Sequence, residues 1–110
     1  MKMFTINTNF GGYRIYLERG TYRNGNLAVY AYCLEDGHWV PFASLTTNIQ
    51  KLQSDEAAID TNNFPEGLAI ITEHKLGKLV GTIDSGYCTY PVVKFNMDRL
   101  EYYTSMSVRK

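Results

Sequence analysis

Short segments with strand-like alternation, separated by tight-turn dipeptides, are the feature that most constrains the fold of this chain. Tyr13, Ile15 and Leu17 fall on one face of an extended segment, and the positions between them hold more polar side chains. Strict period-two alternation of this kind is typical of a strand with one buried face. It predicts a β-strand from Tyr13 to Arg19.

The segment Leu27–Leu34 is largely apolar at both sets of alternating positions, so both of its faces should be buried. We therefore predict that it is the central strand of an antiparallel sheet. Asn24-Gly25 precedes this segment and Asp36-Gly37 follows it. These dipeptides are strong signals for tight hairpin turns, because their residues accept positive φ angles. Two successive hairpins predict a meander.

Further β-rich segments are candidate strands for a predicted sheet of about five strands. Pro41 lacks an amide donor, which indicates a bulge or an edge position in the segment that contains it. The segments are Phe4–Ile6, Trp39–Thr47, a short one at Ala57–Ile59, Lys78–Ile83, and Tyr87–Tyr90 continued by Val92–Phe95 after a break at Pro91.

One helix is predicted from Pro65 to Lys75. Asn63 and Glu66 have the spacing of a capping box, and proline is well accepted in the first turn of a helix. Gly77 follows as the expected left-handed stop. A second, short helix is predicted over Met97–Tyr103.

The predicted fold class is α+β: an antiparallel, meander-like sheet with one main helix packed across a face. A length of 110 residues predicts a single domain, with residues 105–110 as a frayed tail. No apolar run approaches the roughly 18 residues that a membrane-spanning helix requires. The start of the chain has no signal-peptide pattern, so we expect a cytoplasmic protein that does not bind a membrane.

The charge balance excludes two classes of protein. Eleven basic residues match eleven acidic ones, and the isoelectric point is about 6.7. A generic basic nucleic-acid binder needs a positive excess, and a DNA mimic needs a dense acidic face. Neither composition is present.

The cysteines and histidines do not form a convincing reactive or metal-binding set. Cys33, Cys88, His38 and His74 are scattered, without the close spacing that nucleates a zinc site. We predict reduced thiols, no metal, no cofactor and no enzymatic activity. The enzymatic alternative is a nucleophilic Cys88 with His38 or His74 as its base.

Interleaved arginine and tyrosine side chains between residues 14 and 23 form the candidate binding cluster. Arginine and tyrosine supply interface hot spots, so we predict that this cluster binds a protein partner. Nucleic acid is a weaker alternative, because Arg14 and Arg19 point to opposite faces and Glu18 dilutes the charge. The predicted anchors are Arg14, Tyr16, Arg19, Tyr22 and Arg23.

Two ordered strings carry a resemblance to a known family. They are Asp-Thr-Asn-Asn-Phe-Pro from Asp60 and Ser-Gly-Tyr-Cys-Thr-Tyr-Pro from Ser85. Over about residues 24–100, the chain resembles a family of small proteins with a domain of unknown function, carried on conjugative plasmids and integrative elements. Phe64 departs from the cysteine associated with that position. The strings are either structural or form one surface that comprises Asp60, Asn62, Asn63, Ser85, Tyr87 and Tyr90.

The resemblance implies no catalytic residue and suggests an accessory protein of a mobile element. Its most concrete form is an inhibitor of host defence, of the anti-CRISPR or antirestriction type, that binds a nuclease complex directly. Zero net charge argues against inhibition by DNA mimicry. The alternative is a housekeeping regulator or partner-binding module of a conjugative element. The sequence leaves the partner and the oligomeric state open.

Overall fold

Eight β-strands and two short helices make up most of the structure, a computed structural model that describes residues 3–8 and 11–104. More than half of these residues lie in strands. In chain order the elements are β1 Met3–Thr8, β2 Gly11–Thr21, β3 Leu27–Glu35, β4 His38–Ser44, β5 Thr46–Thr47, β6 Glu56–Ile59, α1 Glu66–Glu73, β7 Gly77–Ser85, β8 Cys88–Phe95 and α2 Met97–Thr104.

The N-terminal sheet is an antiparallel meander with the order β1-β2-β3-β4. The predicted central position of Leu27–Leu34 is confirmed, because β3 pairs with β2 on one side and β4 on the other. Asp36 and Gly37 both have positive φ angles (51° and 81°) and form the predicted two-residue turn. The Asn24-Gly25 turn is longer than predicted. Only Gly25 has a positive φ there, and the Tyr22 N–H donates to the Asn26 carbonyl at 2.8 Å.

A bulge in β4 and a change of sheet at Leu45 divide the segment predicted as one strand, Trp39–Thr47. The register between β3 and β4 shifts opposite Pro41, as the missing amide indicated. The Leu45 side chain is fully buried, and its N–H donates to the Val29 carbonyl at 2.9 Å. After Leu45, the two residues of β5 pair with β6 in the other sheet.

The C-terminal sheet has the order β5-β6-β8-β7, also antiparallel. The predicted fold class is therefore wrong: the protein is mostly antiparallel β, with two four-stranded sheets and two short helices. It is not a single sheet with one helix across a face. Period-two alternation identifies strands but does not specify their partners, so it could not reveal the second sheet.

One large hydrophobic cluster joins both sheets and both helices. The N-terminal sheet contributes Ile15, Leu17 and Val29, and the helices contribute side chains such as Ile71 and Leu100. Val93 and Phe95 of β8 complete it from the C-terminal sheet. Val92, the residue before Val93, lies on the other face, in a smaller cluster with Ala58, Ile83, Ile49, Leu52 and Tyr90.

Helix α1 confirms the predicted helix but not its predicted caps. Its N-cap is Pro65, without a side-chain hydrogen bond, so the capping box of Asn63 and Glu66 is wrong. Asn63 is instead engaged by Asp60: its N–H and Nδ2 donate to the two carboxylate oxygens, at 3.3 and 3.0 Å. These bonds form a turn that precedes the helix.

The C-terminal end of α1 uses Lys75, and not the predicted Gly77, in the left-handed region. Lys75 has a φ of 56°, and hydrogen bonds from Leu76 N–H to Ile71 O and from Lys75 N–H to Thr72 O complete a Schellman motif. Gly77 is required for a different reason. A Cβ there would lie 2.6 Å from Val93 Cγ1 and 2.7 Å from the Lys94 carbonyl oxygen, so the approach of β8 leaves no room for a side chain.

Helix α2 confirms the predicted second helix, one residue longer at its end. Asn96 caps it, because its side-chain oxygen accepts the N–H of Arg99 at 3.2 Å. The predicted frayed tail, residues 105–110, lies outside the described residues. No helix within residues 3–8 and 11–104 is long and apolar enough to cross a membrane.

Candidate functional site

The outer face of the N-terminal sheet carries a packed aromatic group around Tyr16. The Tyr16 ring stacks on Tyr32 at 5.5 Å between centroids and meets Trp39 edge-on at 4.5 Å. Tyr16 is only 2% exposed, and its hydroxyl donates to the buried Glu18 carboxylate at 3.3 Å. Strand register placed these aromatic side chains together, and the local alternation of β2 did not reveal their contact.

The remaining members of the predicted Arg/Tyr cluster lie apart. Arg19 is on the core-facing side of β2 and forms an ion pair with Glu101 of α2. The Tyr22 hydroxyl donates to the Thr46 carbonyl at 3.2 Å, which links the two sheets. Arg14 is exposed near the start of β2 and Arg23 is exposed in the turn after its end, so most of the length of the strand separates them. The five side chains therefore do not form one cluster, and their role in binding stays a prediction.

The two motif strings, in contrast, meet at one end of the C-terminal sheet. The β6–β8 register pairs Ala58 with Val92, and its continuation by two residues places Asp60 beside Tyr90. Asn63 is bonded to the same Asp60 carboxylate, so it belongs to this group as well. The structure thus brings together Asp60, Asn63 and Tyr90 from segments 30 residues apart.

Tyr90 lies in a perturbed environment. Interaction with the Cys88 side chain, together with burial and the nearby Asp60 carboxylate, raises the pKa of the Tyr90 hydroxyl above its usual value. Its ring also packs against the smaller hydrophobic cluster. Tyr90 therefore stabilises the sheet and presents a hydroxyl beside a thiol and a carboxylate.

The β7–β8 hairpin extends the same string to its tip. Ser85 pairs with Cys88, and Gly86 has a φ of 63° in the two-residue turn between them. The Tyr87 side chain is fully exposed there. Tyr90 shares this hairpin, whereas Asn62 is exposed in the turn before α1.

Exposed apolar side chains concentrate on this hairpin. Leu79 is 59% exposed and Val80 46%, and with Tyr87 they are three of the five large hydrophobic residues that the described ranges expose. We call Leu79, Val80 and Tyr87 the hairpin surface. Leu79 and Val80 lie on edge strand β7 beside a register shift. Sequence reasoning missed both, since an edge position and a bulge depend on pairing with β8.

The cysteines and histidines occupy separate places. Burial, and secondarily the charge of Glu35, raises the pKa of the Cys33 thiol, and Cys88 is a second free cysteine in the other sheet. His38 begins β4, and the His74 ring packs edge-on against Phe4 at 4.4 Å. Within the described ranges, no three or more His, Cys, Asp or Glu side chains are grouped so that they could hold a metal ion.

These features define a small, mostly antiparallel β protein whose two sheets share a core and whose exposed apolar residues gather on one hairpin. A family model described as "Domain of unknown function (DUF4313)" matches residues 16–109. The chain belongs to this family, and the resemblance to a family of unknown function is confirmed. No curated protein and no solved structure matches the chain significantly.

Proposed function

We propose that this protein is a non-enzymatic accessory factor of a mobile genetic element that inhibits host defence by binding directly to a nuclease complex. The observation that supports this proposal most is the hairpin surface. Three exposed apolar side chains on one edge strand and the turn that follows it are unusual on a surface that contacts only water, and such groups often mark protein interfaces.

The chemistry of the hairpin surface suits a protein partner. Tyr87 offers a large amphipathic ring with few rotatable bonds, which is typical of an interface anchor. Leu79 and Val80 lie about 20 Å from the turn along β7 and would add a second apolar contact once a partner excludes water. The partner we propose is a protein subunit of an anti-CRISPR or antirestriction target, because equal numbers of acidic and basic residues do not suit DNA mimicry.

The position of the hairpin surface beside the motif strings is a second supporting observation. Tyr87 belongs to the string that starts at Ser85, and Tyr90 brings that string against Asp60. The association with mobile elements comes from the resemblance of these strings and forms part of the proposal. Arg14 and Arg23, both exposed, are available for additional contacts.

The test is a cell-based nuclease-protection assay with matched surface variants. Tyr87→Ala combined with Leu79→Ser should abolish protection while the protein keeps its melting temperature, since both side chains are exposed. Leu34→Ser, an exposed apolar residue on the N-terminal sheet, is the control and should protect like the parent chain.

Two results would contradict binding through the hairpin surface. One is full protection by the folded double variant. The other is loss of protection in a folded Cys88→Ser variant while the double variant protects normally, which would favour the enzymatic alternative. If purified protein binds only proteins encoded by the mobile element, and no nuclease subunit, the housekeeping alternative takes the place of the inhibitor.

A further inference from the structure

A basic cleft lies where the end of α1, the start of β7 and the junction between β8 and α2 meet. Its volume is about 380 Å³. Three of the four lysines in the described part of the chain line it, and no carboxylate does. We call it the lysine cleft; its lining residues are Lys75, Gly77, Lys78, Lys94, Phe95 and Asn96.

The charges of the lysine cleft are only partly neutralised by the protein. Lys78 and Lys94 are direct cross-strand partners, an arrangement in which like charges repel. Asp55 accepts a hydrogen bond from Lys94 Nζ at 2.7 Å, and Glu56 lies opposite Lys94 on β6. Lys75 and Lys78 have no ion pair among the described residues. The cleft therefore holds about two uncompensated positive charges.

Lys75 occupies a backbone position that glycine would fill with less strain. Its φ of 56° lies in the left-handed region, which disfavours side chains with a Cβ. A lysine here weakens the end of α1, and it points to a role for the side chain other than stability. The first turn of α2 also begins at the cleft, after Asn96, and the positive end of the helix dipole favours an anion, although the Asn96 side chain already accepts the Arg99 N–H and Asp98 opposes an anion.

We infer that the lysine cleft binds the phosphate group of a small phosphorylated ligand. A phosphate dianion matches the two uncompensated lysines in charge and accepts several hydrogen bonds at once. A cleft of this volume also leaves room for a further part of the ligand beyond the phosphate. This inference does not depend on the proposed inhibitor function, because the hairpin surface and the lysine cleft share no residue.

The test is titration of the full chain with inorganic phosphate and with adenosine monophosphate at low ionic strength. The chemical shifts of the backbone amides in NMR spectra report binding. Both probes should shift the resonances of residues 75–78 and 94–98, and the shifts should level off as the probe concentration rises. Lys78→Gln should weaken both affinities about tenfold, the typical effect of losing one charged hydrogen bond. Lys51→Gln, outside the cleft, is the control and should leave both affinities unchanged.

Lys75→Gly separates ligand binding from stability. It should weaken phosphate binding several-fold while it raises the melting temperature, because glycine relieves the left-handed strain. Tighter binding of the nucleotide than of phosphate would identify a phosphorylated nucleoside as the ligand type. Equal affinities would mean that the phosphate alone is recognised. No saturable binding of either probe, or unchanged affinity in both Lys78→Gln and Lys75→Gly, would overturn the inference.

Discussion

Tyr16 on the N-terminal sheet and Tyr87 on the C-terminal hairpin show opposite uses of the same residue type. The first ring is buried between Tyr32 and Trp39, and the second extends fully into solvent. The sequence predicted Tyr16 as a binding anchor and left Tyr87 in a string that is either structural or part of a surface. The difference teaches that a strand places an aromatic side chain against the ring of its neighbour, whereas a turn at the tip of a hairpin leaves the ring free to bind.

The largest expected effect comes from a charge in the shared core. Val29 is fully buried on β3, so Val29→Asp should unfold the protein, because an unpaired buried carboxylate costs several kcal/mol. Circular dichroism and thermal melting measure the result. Leu34→Asp on the same strand is the control, since Leu34 is 42% exposed. Equal melting of both variants would show that β3 is not a central strand.

Truncation of Tyr16 should reveal its structural role. Tyr16→Ala removes a ring that is 2% exposed and leaves a cavity between Tyr32 and Trp39. We expect a loss of about 3 kcal/mol in the free energy of unfolding, measured by urea denaturation. Tyr87→Ala should leave this free energy unchanged. A Tyr16→Ala protein as stable as the parent would remove the contrast between the two regions.

Two glycines of β7 give a smaller, matched comparison within the C-terminal sheet. Gly77→Ala should destabilise the protein by about 2 kcal/mol, because the new Cβ collides with Val93 Cγ1 and with the Lys94 carbonyl oxygen. Gly81→Ala enters open space and should cause no loss. Denaturant titration measures the free energy of unfolding of both variants. Equal losses in this free energy would contradict the close approach of β7 to β8.

The smallest effect concerns the ion pair between Asp55 and Lys94. The Lys94 hydrogen bond lowers the pKa of the Asp55 carboxyl, and the same bond raises the pKa of Lys94. The carboxylate therefore stabilises the fold above its ordinary pKa, and this contribution disappears as the pH falls through the lowered value. The lysine contribution disappears at high pH, as the pH rises through its raised value.

An NMR titration of the Asp55 carboxyl tests this pair. Lys94→Gln should return the pKa of Asp55 towards its ordinary value and weaken the acid dependence of stability slightly, since solvent reaches both side chains. Lys51→Gln should change neither. An Asp55 pKa that is unaffected by Lys94→Gln would mean that the two side chains do not interact in solution.

Local sequence patterns predicted most strands but not their arrangement. The alternation of β2, the apolar faces of β3 and the Asp36-Gly37 turn are short-range signals, and the structure confirms them. The change of sheet at Leu45 is decided by long-range pairing with Val29 and β6, which no local pattern contains.

The candidate site was predictable to a similar extent. The strings at Asp60 and Ser85 were expected to form one surface if they were not purely structural, and the structure places Asp60 beside Tyr90. The exposure of Leu79 and Val80 depends on the bulged edge of β7, and the lysine cleft depends on the close approach at Gly77. Both features arise from tertiary contacts, so the sequence did not indicate them.

The most direct test of the contrast between the two sheets is the solvent accessibility of individual tyrosine rings in the native protein. Photochemically induced nuclear polarisation with a soluble flavin dye detects rings that the dye can touch. We predict a strong tyrosine signal that disappears in Tyr87→Phe and remains unchanged in Tyr16→Phe. A signal that disappears in Tyr16→Phe and persists in Tyr87→Phe would contradict the burial of Tyr16 beneath its aromatic neighbours and the exposure of Tyr87 at the hairpin tip.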